Sequence, residues 1–202
     1  MRLFAQLISW LLHPLLLPTY ALLLLFGFSS DLFAGYERTD QLRLLLLLVN
    51  NTLLFPAAAI ALLWRLGFIT HLHMPQARQR LLPYLTSGIF YLWTYVVLRR
   101  SDLPDVLPIM MLGATLTLFV CFFINLFSKI SIHTGGAGAL LMLTVLASLM
   151  SPGPQPYLPM SVAVAGGLVG SARLWLGAHT LTEVLAGYLI GMLSQVAAFW
   201  VL

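Results

Sequence analysis

The chain has 202 residues, of which 60% are hydrophobic and only 8% are charged. A soluble globular domain carries about 25% charged residues, so this composition excludes an ordinary soluble protein and predicts an integral membrane protein. The formal net charge is +4, but Lys and Arg occur singly or in pairs, which excludes a block of basic residues that binds nucleic acid.

Seven apolar segments, each about as long as a membrane-spanning helix, follow one another along the chain. A spanning helix needs about 20 mostly apolar residues. By that criterion the predicted spans are 4–29, 42–66, 83–99, 104–127, 134–151, 157–172 and 182–202. His13, Pro14 and Pro18 interrupt the first segment and predict a kink in its helix. The predicted fold is an all-α bundle of six or seven transmembrane helices, forming a single domain over residues 1–202.

Alternate connections of such a bundle lie on the same side of the membrane. Three of the predicted connections share one side with the N-terminus: 67–83, 128–133 and 173–182. Glu183 is the one acidic residue that this count places there. The same side collects most of the histidines and several basic residues: His71, His73, Arg78, Arg80, Lys129, His133, Arg173 and His179. We call it the basic side, and we predict that its three connections converge.

The stretch SARLWLGAHTLTEVLAG, residues 171–187, suggests the chemistry of the basic side. His179 and Glu183 are four residues apart and therefore share one face of a helix. A carboxylate next to an imidazole fixes the tautomer of the ring and makes it a good nucleophile or base. Arg173 adds a cation to the same stretch.

The connection 128–133 adds Lys129, Ser131 and His133. Lysine is a point charge suited to phosphate, and a serine hydroxyl donates a hydrogen bond. Cations that hold an anion, together with two histidines and one carboxylate, indicate phosphoryl transfer. No single segment carries three or four ligands at metal spacing, so a metal site is not predicted.

These residues resemble the type 2 phosphatidic acid phosphatase superfamily of membrane lipid phosphatases over roughly residues 70–195. The third motif of that family reads Ser-Arg, five residues, His, three residues, Asp, and Arg173, His179 and Glu183 reproduce its spacing. Its second motif, Pro-Ser-Gly-His, corresponds to the ISIH that ends at His133, and its first, Lys, six residues, Arg-Pro, to the interval between His73 and Arg80.

The resemblance implies a role for each matching residue. His179 is expected to attack phosphorus and form a phosphohistidine, with Glu183 orienting it and His133 protonating the leaving oxygen before activating water. Three residues are expected to hold the phosphate oxygens: Arg173, Arg80 and Ser131. His73 stands where the family has Lys, and we hypothesise that Lys129 or Arg78 supplies the missing cation, because a phosphate monoester carries nearly two negative charges. The family chemistry needs no metal, and no cofactor is expected.

The predicted function is therefore hydrolysis of a phosphate monoester or pyrophosphate on a lipid, with the lipid phosphate and the bilayer as partners and neither nucleic acid nor an obligatory protein partner. Phosphatidic acid, phosphatidylglycerol phosphate, undecaprenyl diphosphate and lipid A phosphates stay open as substrates. Two alternatives stay open as well. One is a non-catalytic transporter or scaffold with a degenerate site, and the other is a lipid phosphotransferase. The expected location is the cytoplasmic membrane of a bacterium, with the site on its outer side.

Overall fold

The computed structural model describes residues 2–69, 77–151 and 156–202, and for residues 77–80 it describes the backbone alone. All regular structure within these residues is helical. The helices are α1 Arg2–Leu11, α2 Leu17–Phe28, α3 Arg38–Arg65, α4 Ala77–Arg99, α5 Val106–Phe127, α6 Ile132–Met150, α7 Tyr157–Trp175 and α8 Leu181–Val201. A 3-10 turn covers Ser30–Phe33, and the middle of α3, Val49–Leu54, is π-helical.

Five helices of the described chain are long and apolar enough to cross a membrane, namely α3, α5, α6, α8 and the part of α4 from Leu81 onward. Helix α2 is apolar but has only 12 residues. The chain is therefore an all-α integral membrane protein, as the composition predicts, and the count of six or seven spans stays a prediction. The predicted third span, 83–99, agrees to two residues with the apolar segment Leu81–Arg99, and its helix begins earlier, at Ala77, and continues through Pro83.

The predicted single span over residues 4–29 is wrong, because α1 ends at Leu11 and α2 begins at Leu17. The residue before a proline disfavours the helical conformation, so the helix stops ahead of His13 and Pro14. The Tyr91 hydroxyl, on α4, donates a hydrogen bond of 3.3 Å to the Pro14 carbonyl and holds the break in place. His13 therefore lies in a connection between two helices instead of inside a span.

Helices α6 and α8 form the most extensive contact of the bundle. Their backbones touch, since a Cβ atom at Gly191 would overlap the carbonyl of Gly135. Small residues allow this close approach of two membrane helices. His133 lies in the first turn of α6 and Glu183 in the first turn of α8. The glycine contact therefore holds these two functional candidates at a fixed separation.

Candidate active site

The connection between α7 and α8 begins with a helix cap that positions His179. Arg173 lies in the last turn of α7. Gly177 follows the helix with a left-handed φ of 62°, its N–H donates to the Leu174 carbonyl at 2.9 Å, and the Ala178 N–H donates to the Arg173 carbonyl at 3.1 Å. These two hydrogen bonds define a Schellman motif, which needs a residue that tolerates positive φ. His179 comes directly after it.

A second cap begins α8 and positions the partner of His179. Thr180 is the N-cap residue, and its hydroxyl accepts a hydrogen bond of 3.3 Å from the Glu183 N–H. The Glu183 carboxylate accepts a hydrogen bond from His179, with 2.6 Å between Nδ1 and Oε2. The His179 side chain is only 5% exposed and that of Glu183 is 20% exposed. The pair is therefore shielded from bulk water, at the N-terminal end of a helix, where a carboxylate is stabilised.

The charge state of His179 suits a nucleophile. Burial of the ring lowers its pKa, the positive charges of Arg173 and Lys129 lower it further, and the hydrogen bond to Glu183 opposes both effects. The net shift is downward, so the ring is neutral at neutral pH. Because Nδ1 donates its proton to Glu183, Nε2 carries the lone pair. A nitrogen lone pair in a buried ring is what an attack on phosphorus requires.

A cavity of about 270 Å³ brings the second and third motifs together. Its wall includes His133 from α6, Arg173 from α7 and His179 from the connection between α7 and α8. Lys129 is exposed and lies outside this wall, but it interacts electrostatically with both His179 and Glu183. One cavity therefore has the imidazoles of both motif histidines and a guanidinium in its wall, with a lysine and a carboxylate beside it.

Ser131 has a local structural contact. It is the N-cap of α6, and its hydroxyl accepts a hydrogen bond of 3.4 Å from the Thr134 N–H. The residue is fully buried, with 0% of its surface exposed. Its oxygen thus serves to begin the helix that carries His133, and its contact with a phosphate stays a prediction.

The residues of the first motif fall outside what the structure describes. His73 lies outside the described residues, and so do the side chains of Arg78 and Arg80 at the start of α4. Their predicted contacts with phosphate stay predictions. Among the described residues, no three His, Cys, Asp or Glu side chains are grouped as metal ligands.

Two further residues, which the motif spacing does not identify, lie next to this cavity. The His13 ring packs edge-on against the His133 ring, with centroids 5.4 Å apart, and it lines the cavity. The hydroxyl of Ser9, on α1, accepts a hydrogen bond of 3.5 Å from Arg173 Nη1. The pair His13-Pro14 carried a usable signal, because a proline that ends the helix places His13 in a connection on the basic side.

A comparison of the chain with protein-family models, with curated proteins and with solved structures finds no match. The fold is that of a helical membrane protein, a class that serves many functions. The function must therefore be inferred from the geometry around His179 and from the motif spacing.

Proposed function

We propose that this protein is a membrane lipid phosphatase of the type 2 phosphatidic acid phosphatase superfamily, a phosphoric-ester hydrolase that works through a phosphohistidine. The observation that carries the proposal is the partly buried hydrogen bond between His179 and Glu183, beside a cavity that Arg173 and His133 also line. A nucleophile, its orienting carboxylate, a second histidine and a cation for phosphate oxygens are the groups that this reaction needs.

In the proposed first step, His179 Nε2 attacks phosphorus and the bond from phosphorus to the lipid oxygen breaks. Protonated His133 gives its proton to that oxygen, and the lipid alcohol leaves. In the second step neutral His133 takes a proton from water, which attacks the phosphohistidine, and the bond from phosphorus to nitrogen breaks. Glu183 stabilises the positive charge on His179 throughout, and Arg173 and Lys129 balance the charge of the phosphate.

We propose that the basic side faces away from the cytoplasm of a bacterial cell. Positive charges that serve a site should not be counted as orientation signals, so Arg78, Arg80, Lys129 and Arg173 are set aside. Arg2 and Arg65 then remain on the basic side, against four residues on the other side: Arg38, Arg43, Arg99 and Arg100. The excess of Lys and Arg marks the cytoplasmic face. A reporter fused in the connection 30–41 should therefore appear in the cytoplasm, and its appearance outside would reverse this orientation.

The direct test is phosphate release by the purified full-length protein in detergent, with a chelator present, from a panel of lipid phosphates. We expect release by the wild type and a phosphorylated intermediate that can be trapped, and neither with His179→Ala. Thr182→Ala is a matched control, because Thr182 is exposed in the first turn of α8, three residues after His179. Equal inactivity of wild type and His179→Ala on every substrate would contradict the enzyme proposal. Recovery of the label on a second lipid would identify a phosphotransferase.

A further inference from the structure

The cavity beside His179 continues far below the ionisable groups. Along α6 its wall runs from His133 to Leu143, ten residues that correspond to about 15 Å at the helical rise of 1.5 Å per residue. On α8 the wall includes Gln195, which lies about 21 Å from Leu181 along the helix axis. The hydrocarbon core of a bilayer is about 30 Å thick, so the cavity passes through about half of it.

The deep part of the cavity has an apolar wall. It includes Met110, Ala114 and Leu118 of α5 and Ala139 and Leu143 of α6.

Two polar side chains in this deep wall are already hydrogen-bonded. The Thr117 hydroxyl donates to the Gly113 carbonyl at 2.8 Å, and the Gln195 amide donates to the Ile109 carbonyl at 3.0 Å. Because these two groups are already bonded, the apolar part of the cavity around them favours hydrocarbon over water.

The dimensions of the cavity limit how much hydrocarbon it can hold. A volume of about 270 Å³ lies at the lower end of the roughly 300–1,000 Å³ of small-molecule sites. Close to His133 the wall includes Leu17 of α2 and Gly136 of α6, which pack so closely that a Cβ atom at Gly136 would lie 2.5 Å from Leu17 Cδ1. A long cavity of this small volume fits one chain and leaves no space for a second.

We propose that this cavity binds the hydrocarbon chain of the substrate, and that the substrate is a phosphate or pyrophosphate on one unbranched or polyprenyl chain and not a two-chain glycerolipid. This inference rests on the proposed function, since it places the phosphate of that lipid at His179. The single chain extends from His179 and Arg173 toward Gln195. A glycerolipid branches within a few bonds of its phosphate, and a cavity of about 270 Å³ has no room for its second chain.

The first test compares substrates on the wild-type protein in mixed micelles at equal surface concentration. The panel is butyl phosphate, dodecyl phosphate and dilauroyl phosphatidic acid. Because each buried methylene strengthens binding several-fold, we expect kcat/KM for dodecyl phosphate to exceed that for butyl phosphate and for the two-chain lipid by about tenfold or more. A two-chain lipid that is hydrolysed as well as dodecyl phosphate would overturn the proposal.

The second test fills the cavity with Ala114→Leu, and Ala197→Leu is its control because Ala197 is exposed on α8 outside the cavity. The three added carbon atoms displace part of the bound chain, so we expect the ratio of kcat/KM for dodecyl over butyl phosphate to fall about tenfold in the first variant and to stay unchanged in the second. A decrease shared equally by both substrates would show a packing defect and contradict chain binding. An unchanged ratio in Ala114→Leu would place the chain elsewhere.

A binding measurement separates this proposal from the proposed function. Dodecylphosphonate and ethylphosphonate are not hydrolysed, and their binding to the full-length protein can be followed as an increase of the unfolding temperature. Selective stabilisation by dodecylphosphonate, reduced in Ala114→Leu, would support the chain site even if no phosphate were released from any substrate. Equal stabilisation by both phosphonates would overturn it.

Discussion

The two connections that bring histidines to the cavity are built in different ways. The one between α7 and α8 takes its shape from hydrogen bonds within residues 173–183, through the Gly177 cap and the Thr180 cap. The one between α1 and α2 has local hydrogen bonds as well, such as that of 2.8 Å from the Leu16 N–H to the His13 carbonyl, but it is also tied to α4 by the hydrogen bond from Tyr91 to Pro14 across 77 positions of the chain. The first connection is therefore shaped by local hydrogen bonds, whereas the position of the second also depends on a distant helix.

The histidines of these two connections, His179 and His13, also differ in their hydrogen-bond partners. His179 Nδ1 donates to the carboxylate of Glu183, which leaves Nε2 with a lone pair. His13 Nδ1 instead accepts a hydrogen bond of 3.3 Å from the backbone N–H of Leu15, which leaves the proton of a neutral ring on Nε2. His179 is thus prepared to attack an electrophile, whereas His13 is prepared to donate a hydrogen bond. In the proposed mechanism the connection between α7 and α8 therefore supplies the nucleophile, and the one between α1 and α2 supplies a hydrogen-bond donor.

The largest effect that this comparison predicts is that of Glu183→Gln. Loss of the carboxylate that orients a catalytic histidine lowers turnover by about 10²–10⁴-fold. Because Glu183 opposes the downward shift of the His179 pKa, its removal should lower that pKa further, and the acid limb of kcat/KM should move to lower pH. The pH profile of the variant measures both the turnover and the position of the acid limb. Asp40→Asn, at an exposed ion pair with Arg43, should change neither, and full activity of Glu183→Gln would contradict the pairing.

The next effect concerns the connection between α1 and α2. His13→Phe keeps an aromatic ring against His133 and removes the hydrogen-bond donor, so we expect turnover to fall about tenfold, as for the loss of one hydrogen bond. Trp10→Phe, at an exposed position of α1, serves as the control. A loss as large as that of Glu183→Gln would place His13 among the reacting groups, contrary to its proposed role as a hydrogen-bond donor. No loss would exclude His13 from the site.

A smaller effect tests whether the connection between α7 and α8 is locally determined. Gly177→Ala forces a side chain into a left-handed conformation and should lower the free energy of unfolding by about 1–2 kcal/mol. Gly167→Ala is the matched control, because a Cβ atom at either glycine meets no other atom within 4 Å and Gly167 has an ordinary helical φ. Thermal unfolding in detergent measures both variants. Equal stability of the two would show that the cap does not depend on positive φ.

The smallest effect is a shift of the pH profile in Lys129→Gln. Lys129 lowers the pKa of His179, so its removal should raise that pKa toward the ordinary value near 6.5. Protonated His179 cannot attack, so activity is lost as pH falls through its pKa, and the acid limb should move to higher pH. Lys129→Arg keeps the charge and should keep the wild-type profile. An unchanged profile and KM in Lys129→Gln would exclude Lys129 as the missing cation.

The sequence alone determined the features that depend on composition and on short spacing. The apolar segments predicted an all-α membrane protein, and the predicted span 104–127 differs from α5, Val106–Phe127, by two residues at one end. The interval between His179 and Glu183 predicted their contact, but the expected shared helix face is wrong, because His179 lies before the N-cap residue Thr180 and Glu183 lies in the first turn of α8. The span prediction needs only the thickness of a bilayer, and the contact needs only a short interval across a helix start.

Contacts between distant residues follow from the tertiary structure. The packing of His13 against His133 and the hydrogen bond from Arg173 to Ser9 each join residues more than 70 positions apart. Pro14 breaks the first predicted span locally, but the hydrogen bond from Tyr91 that holds the break in place is again a distant one. The cavity itself exists only because five or more helices meet around it. Local sequence cannot specify these contacts, since each arises from the packing of whole helices. The close contact of Gly135 with Gly191 is an example of such packing.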